Sequence, residues 1–202
     1  MTDAASVEGD VRIRLFCALR LPDETVDALV EWQALLQGRR SLPAAGFRLV
    51  APDNLHVTLA FLGHRPRRDV EPIAAELEAA SRAARPVRLS AQGYRETRSV
   101  GMLALDDAEG AAAALAADLQ ARLVRLGVYE SERRPWLPHV SVVRFRERPR
   151  LRPRTPELGQ VVPSGAAVYH SMLRPTGAQY VALQEFGVGG GPEVKERTER
   201  GS

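Results

Sequence analysis

Two histidines in this sequence sit in matching surroundings. His56 is followed at i+2 by Thr58, and His139 is followed at i+2 by Ser141. In both segments a proline stands four residues before the histidine, and aliphatic residues flank the hydroxyl residue. Because residues i and i+2 of a β-strand point to the same side, each segment is expected to present an imidazole beside a hydroxyl group.

This pairing of side chains suits acid–base chemistry on a phosphate. An imidazole takes or gives a proton near neutral pH, and a hydroxyl group hydrogen-bonds an anionic oxygen. Two such strands facing each other across a cleft would place an acid and a base around one phosphodiester, and this chemistry needs no metal. The sequence has no His, Cys and carboxylate cluster with metal-ligand spacing and no Gly-rich phosphate loop, so we expect no metal and no cofactor.

Strand-like and helix-like stretches surround these segments in a mixed order. The predicted strands are Val11–Arg20, Gly46–Val50, Leu55–Leu62, Val87–Gln92, Val100–Leu105, Leu137–Phe145, Ala166–Leu173 and Gln179–Val188. The predicted helices are Glu24–Gly38, Asp69–Ala84 and Ala108–Leu126. This order favours an α+β protein with largely antiparallel sheets over a regular βαβ repeat. Alternation along the strand of His56 predicts that Val57, Leu59 and Phe61 point into the core.

Length and composition are those of an ordinary globular protein. The chain has 202 residues, of which 45% are hydrophobic and 26% are charged, which excludes full disorder and a collagenous chain. We expect residues 11–188 to form one domain, with flexible tails at 1–10 and 189–202. With Cys17 as its single cysteine, the chain has no internal disulfide.

Charge and hydropathy indicate the cellular compartment and the kinds of partner to expect. Lys and Arg total 28 against 25 Asp and Glu, a net charge of +3, which does not by itself indicate a nucleic-acid partner. Apolar runs fall short of the roughly 18 residues that a membrane-spanning helix needs, and residues 1–10 do not read as a signal peptide. The expected setting is therefore the cytoplasm, with no membrane partner and a monomer as the default.

The two histidine segments resemble the signature motifs of the two-histidine (2H) phosphoesterases. The matching stretches read HVTLAFLG at 56–63 and PHVSVVR at 138–144. The resemblance is greatest to the bacterial RNA 2′,3′-cyclic phosphodiesterases, historically called 2′-5′ RNA ligases. It extends to RLFCALRLPDE at 14–24, to FRLV at 47–50 and to the closing hairpin from YHSML at 169–173 through Gly177 and Tyr180, and so covers about residues 11–188. Ser141 departs from the threonine more usual in this subfamily, but the hydroxyl group is kept.

The resemblance implies a fold, an activity and a site. The fold would be a bilobal, LigT-like α+β fold, with two pseudo-symmetric lobes of antiparallel sheet around a central cleft. The activity would be hydrolysis of the terminal 2′,3′-cyclic phosphate of RNA to a 2′-phosphate. With an RNA 5′-hydroxyl in place of water, the same attack would be a reversible 2′-5′ RNA ligation. His56 would be the proton donor to the departing O3′, and His139 the proton acceptor from the attacking water. Thr58, Ser141 and Arg144 would bind the phosphate.

Arg144 presents a geometric difficulty. In a regular strand, residues 139, 141 and 143 share one face, and Arg144 belongs to the other. The arginine therefore reaches the cleft only if the strand ends, bulges or twists before it. Beyond it an arginine stands at every second position up to Arg154. This run is either a guanidinium ladder that follows an RNA backbone or a solvated loop.

Two other functions fit the same residues. The first is the same chemistry on 2′,5′-linked oligonucleotides or ADP-ribose cyclic phosphate rather than on RNA ending in a 2′,3′-cyclic phosphate. The second is a non-catalytic RNA-binding module. The pair of histidines argues against the second, because binding alone does not need two titratable groups.

Overall fold

The protein is described from a computed structural model over residues 11–37, 46–131, 134–174 and 177–189. The predicted tails, apart from Gly189, lie outside these described residues. Three α-helices are found in this part of the chain: α1 (Asp23–Gln37), α2 (Val70–Ala83) and α3 (Ala111–Arg125). Nine strands accompany them: β1 (Arg12–Arg20), β2 (Arg48–Leu49), β3 (His56–Pro66), β4 (Leu89–Glu96), β5 (Val100–Asp106), β6 (His139–Arg144), β7 (Gln160–Val161), β8 (Gly165–Arg174) and β9 (Gly177–Phe186).

The strands form one curled antiparallel sheet. Their order is β7-β4-β5-β6-β3-β1-β8-β9, and β2 pairs with β6 beside this path. The two histidine strands, β3 and β6, are therefore neighbours at the middle, with three further strands of the path on either side. The expectation of an α+β fold with antiparallel sheet is confirmed. The prediction that residues 11–188 form a single domain stays a prediction.

A single hydrophobic core fills the space between the sheet and the helices. In β1, Leu15, Cys17 and Leu19 are fully buried and belong to this core. Helix α2 packs on α3, and both contact the half of the sheet that contains β3, whereas α1 contacts β6. The alternate residues of β1, which include Phe16, point to the opposite face of the sheet, where a cavity lies.

A β-bulge interrupts the strand of His56 directly after its hydroxyl residue. Consecutive residues of β1 pair with Thr58 and then with Ala60, so Leu59 is an extra residue. A bulge resets the alternation of side chains. Phe61 consequently pairs with Phe16, lies on the cavity side and is 44% exposed. The prediction that Phe61 points into the core is wrong for this reason.

The strand of His139 has a bulge at the equivalent position. Consecutive residues of β5 pair with Ser141 and then with Val143, so Val142 is the extra residue. Both Val142 and Val143 are fully buried. The bulge returns Arg144 to the face of His139 and Ser141. This is the bulge before Arg144 that alternation required if the arginine was to reach the cleft.

The arginine-rich segment after β6 is not a continuous extended strand. The chain bends at residues 146–147, and Arg150 has a positive φ of 56°. The Glu96 carboxylate, whose side chain is 3% exposed, accepts hydrogen bonds from Arg148 Nε at 3.1 Å and from the backbone N–H groups of Arg150 and Leu151 at 3.0 and 2.7 Å. The arginines therefore do not form a one-sided ladder, because the backbone turns and Arg148 is held by this carboxylate.

Candidate active site

A cavity of about 590 Å³ opens on the face of the sheet away from the core. The two histidine strands both contribute to its wall. His56, Thr58 and Phe61 come from β3, and Ser141 and Arg144 come from β6. Four of the five residues predicted for the site therefore line one cavity. The fifth, His139, is not among its lining residues, although strand register sets it across from Thr58.

Strand register sets the two motifs against each other. Strands β3 and β6 pair antiparallel at Val57 and Val140. In an antiparallel pair the residue before one member lies opposite the residue after the other. His56 therefore lies across from Ser141, and Thr58 across from His139, all four on the face opposite the two valines. Each imidazole therefore has one hydroxyl residue two positions along its own strand and another directly opposite on the neighbouring strand.

The ring of His56 is held by hydrogen bonds at both nitrogens. Its Nδ1 lies 2.8 Å from the backbone oxygen of Asn54, and its Nε2 lies 3.2 Å from Thr58 Oγ1. A carbonyl oxygen only accepts, so Nδ1 donates its proton to Asn54. In the neutral ring, Nε2 then has the free lone pair and is turned toward the hydroxyl.

His139 repeats half of this arrangement. Its Nδ1 lies 2.9 Å from the backbone oxygen of Leu137, again the carbonyl two residues upstream. This contact likewise makes Nδ1 the donor and leaves Nε2 as the working nitrogen. Trp136 also joins the two motifs, because its indole Nε1–H donates to the backbone oxygen of Thr58 at 3.0 Å. The indole is therefore engaged in packing the two strands.

Burial and charge both disfavour the protonated form of His56. Desolvation first, and then the positive charges of His139 and Arg144, together lower its pKa to about 4 against the opposing hydrogen bond to Asn54. In the free protein at neutral pH, His56 is thus a neutral imidazole.

Aromatic rings supply much of the burial around His56. Its ring centroid is 4.9 Å from that of Phe16, 5.4 Å from that of Tyr180 and 6.1 Å from that of Tyr169. Phe16 and Tyr169 stack on each other at 5.0 Å with an interplanar angle of 12°. These rings fix the imidazole orientation and exclude water from one side of it.

Three further arginines line the cavity besides Arg144. The guanidinium of Arg14 lies over the ring of Phe61, 4.8 Å from its centroid. Arg48 pairs with Arg144 between β2 and β6, and Arg174 follows at the end of β8. The wall is therefore cationic on several sides and suits an anionic ligand.

Sequence reasoning did not single out these three arginines or Tyr180. For Arg14 a signal was available, since it shares the strand parity of Phe16 in a segment that resembles the family. Arg48 also lies in such a segment, at FRLV. Arg174 and Tyr180 lie in the closing-hairpin segment that resembles the family, and the β8–β9 pairing places them in the cavity wall.

Two general features of the described residues complete the picture. No group of three or more His, Cys, Asp and Glu side chains in this part of the chain is arranged to hold a metal ion. Of the helices in the described ranges, none is long and apolar enough to cross a membrane.

Comparison with known proteins agrees with the geometry. A sheet that brings two His-x-Ser/Thr pairs to one cationic cavity is an arrangement suited to a phosphoesterase, and a family model for LigT-like phosphoesterases matches residues 19–99. The RNA 2′,3′-cyclic phosphodiesterase of Thermus thermophilus is 31% identical over 194 residues, 88% of this chain and 91% of that protein. The Escherichia coli protein of the same name is 32% identical over 139 residues, 65% of this chain and 71% of that protein.

The chain belongs to the LigT-like phosphoesterase family. A crystal structure of a Thermus thermophilus protein superposes with a TM-score of 0.73 at 31% identity, over 89% of this chain and 100% of that one. The resemblance seen in the sequence and the LigT-like fold it implied are both confirmed.

Proposed function

We propose that this protein is an RNA 2′,3′-cyclic phosphodiesterase that hydrolyses a terminal cyclic phosphate to a 2′-phosphate. The observation that carries the proposal is the β3–β6 register, which sets His56 across from Ser141 and Thr58 across from His139. The names of the two curated relatives support the same substrate class. Water attacks phosphorus, the P–O3′ bond breaks, and the products are a 2′-phosphomonoester and a free 3′-hydroxyl.

The proposed roles of the two imidazoles follow from this bond change. His139 accepts the proton of the attacking water at Nε2, and His56 donates a proton to the departing O3′. A donor must be protonated, whereas burial holds the pKa of His56 near 4 in the free protein. An anionic cyclic phosphate beside Nε2 stabilises the charged ring, so His56 takes up its proton as the substrate binds.

The opposite assignment of the two roles is the alternative that the lowered pKa of His56 favours. A neutral ring with its lone pair on Nε2 is already a base, so His56 would then activate the water and His139 would protonate O3′. The paired arrangement serves either direction, because the reverse reaction exchanges acid and base.

The hydroxyl groups and Arg144 are proposed to bind the phosphate itself. Thr58 and Ser141 would donate to its non-bridging oxygens, and the guanidinium of Arg144 offers a charge-assisted pair of N–H donors. Donors fixed on strands cost little reorganisation as negative charge develops on these oxygens. No step of this scheme passes through a metal or a cofactor.

The proposal is tested by incubating the protein with adenosine 2′,3′-cyclic phosphate in EDTA and separating the products. We expect adenosine 2′-phosphate and no 3′-phosphate, because only the P–O3′ bond is cut. Turnover restricted to 2′,5′-linked adenylates or ADP-ribose cyclic phosphate would replace the substrate but keep the chemistry. Binding without turnover would indicate an RNA-binding module instead.

A second cavity adjoins the first and bears on substrate length. It measures about 440 Å³ and shares Arg48 and Arg144 with the site. Its remaining lining residues are Gly46, Phe47, Phe145 and Arg146. The stem of Arg146 rests on Gly46, where an added Cβ would meet its Cγ at 2.8 Å. Among the described residues, Arg146 has no carboxylate within 4 Å, in contrast to Arg148 and Arg154.

We expect this second cavity to bind the phosphate that links the terminal nucleotide to the preceding one. Replacing Arg146 with alanine should lower the ratio of kcat/KM for ApA ending in a cyclic phosphate over that for the mononucleotide by roughly fivefold, through loss of a charge-assisted contact. The dependence of log(kcat/KM) on log salt for the dinucleotide should also become shallower by about 0.7. As a control, Arg125→Ala removes an equal charge at an exposed position of α3, and it should leave the ratio of the two kcat/KM values unchanged.

A cytoplasmic setting and a monomeric state stay predictions. The buried Cys17 thiol is compatible with a reducing compartment.

A further inference from the structure

The bulges at Leu59 and Val142 are each held by a glutamine from a helix. In β6, the Gln33 side chain of α1 donates from Nε2 to the backbone oxygen of Val142 at 2.6 Å and to that of Val50 at 3.0 Å. In β3, Gln120 of α3 donates from Nε2 to the backbone oxygen of Leu59 at 2.8 Å. The extra residue of each bulge is thus bonded by an amide from the helical layer.

Gln33 is a polar residue at a core position. It is 2% exposed and lies at helical spacing from Leu29 and Leu36, which are fully buried. Both of its contacts are carbonyl oxygens, which only accept, so the amide orientation is set by chemistry. Burying an amide costs desolvation free energy unless its hydrogen bonds are made. Without these two hydrogen bonds, an apolar residue would suit this position better.

The contacts of Gln33 lie next to the phosphate-binding face. Val50 follows β2, and its backbone N–H donates to the same Val142 oxygen at 3.0 Å. The neighbouring register pairs are Leu49 with Val143 and Arg48 with Arg144. Gln33 therefore ties the short strand β2 to the bulge of β6, two residues before Arg144.

From this we propose that Gln33 is a positioning residue for Arg144, acting by holding the Val142 bulge that turns the arginine into the cavity. The proposal rests on the proposed function, since Arg144 is taken there to bind the phosphate. Gln120 is the structural counterpart, but the residue that its bulge turns into the cavity is Phe61, which has no charge to offer a phosphate.

The counterpart provides a matched control. Methionine keeps the length of glutamine and removes its donors. Gln33→Met therefore takes one donor from the Val50 oxygen and one from the Val142 oxygen, which keeps the Val50 N–H, and Gln120→Met takes one donor from the Leu59 oxygen. Both variants should lower Tm by about 5 °C, as expected for lost buried hydrogen bonds in a chain of this size. On adenosine 2′,3′-cyclic phosphate, Gln33→Met should lower kcat/KM roughly tenfold, and Gln120→Met clearly less.

A double-mutant cycle with Arg144→Ala separates positioning from general destabilisation. If Gln33 acts through Arg144, Gln33→Met costs roughly tenfold in the presence of the arginine and less than about twofold in its absence. Gln120→Met should cost the same factor in both backgrounds. Should Gln33→Met fail to fold, Gln33→Asn retains the amide, shifts it by one methylene and is expected to show the same coupling.

The results that overturn the proposal differ from those that overturn the function. Equal costs of Gln33→Met with and without Arg144, or a lowered Tm with unchanged turnover, would refute the positioning role. Failure of the unaltered protein to hydrolyse any cyclic phosphate would instead refute the proposed function.

Discussion

Replacing either His56 or His139 with alanine should lower kcat/KM for a nucleoside 2′,3′-cyclic phosphate by about two to four orders of magnitude, the range typical of a positioned acid or base. Each ring works from Nε2, because its Nδ1 is bonded to the backbone carbonyl two residues upstream. Alanine removes that nitrogen without placing new bulk in the cavity. The loss should appear mainly in kcat, since proton transfer belongs to the chemical step.

The double variant sharpens this expectation. Two groups that act in one proton-transfer scheme are not additive, so His56→Ala combined with His139→Ala should cost little more than the worse single change. Thermal unfolding of the three variants at pH 7 checks that the chain still folds. A single variant that keeps turnover near that of the unaltered protein would contradict the paired mechanism.

An activated leaving group decides which histidine is the acid. p-Nitrophenolate leaves without a proton, so on a p-nitrophenyl phosphodiester the variant that lacks the acid should recover most of its loss. The variant that lacks the base should not recover, because water still has to be deprotonated. Recovery in His56→Ala supports the assignment proposed above, and recovery in His139→Ala reverses it.

The helices and most strands could be predicted from the sequence because their periodicity is local. Helix α3 follows an alanine-rich run with leucines on one face, and β1 follows a stretch with Ile13, Leu15, Cys17 and Leu19 at every second position. The two-residue strands β2 and β7 are shorter than any window in which alternation can be recognised. Strand β7 was missed for this reason, and β2 is much shorter than the stretch 46–50 predicted for it.

The site could be predicted in its chemistry but not in its construction. His56, Thr58, His139 and Ser141 are found by a repeated pattern, and alternation correctly places each pair on one face. The bulge at Leu59 has no signature in the residue types, so alternation put Phe61 in the core and the structure puts it in the cavity. Pairing partners and helix contacts that are distant in sequence determine where a bulge forms.

Arg144 illustrates what long-range information adds. Alternation of side chains along the strand put Arg144 on the face opposite His139 unless a bulge lay between them. The family resemblance, in contrast, implied that Arg144 binds the phosphate on the face of His139. The bulge at Val142 reconciles the two, and its hydrogen bond comes from Gln33, which is 109 positions earlier in the chain. No local reading of either segment connects these residues.

The lowered pKa of His56 makes stability depend on pH in a predictable direction. In the unfolded chain the imidazole titrates near its ordinary value of 6.5, whereas burial lowers the pKa in the folded protein to about 4. Between these values the unfolded state binds a proton that the folded state does not. The free energy of unfolding therefore falls as the pH drops through this window, by about 2 kcal/mol between pH 7 and pH 4.5 from this group.

Urea unfolding at the two pH values measures this contribution when His56→Asn serves as the reference. Asparagine does not titrate, and the groups that do not interact with His56, including His170 with a pKa that desolvation lowers, are shared by the two proteins and cancel. We expect the unaltered protein to lose about 2 kcal/mol more than the variant on acidification, in a buffer without phosphate. Inorganic phosphate bound between the imidazoles should shrink the difference, because an anion beside Nε2 raises the pKa of the folded-state ring. Equal losses in both proteins would mean that folding does not lower the pKa of His56, and its ring would then have to be hydrated rather than enclosed by Phe16 and Tyr180.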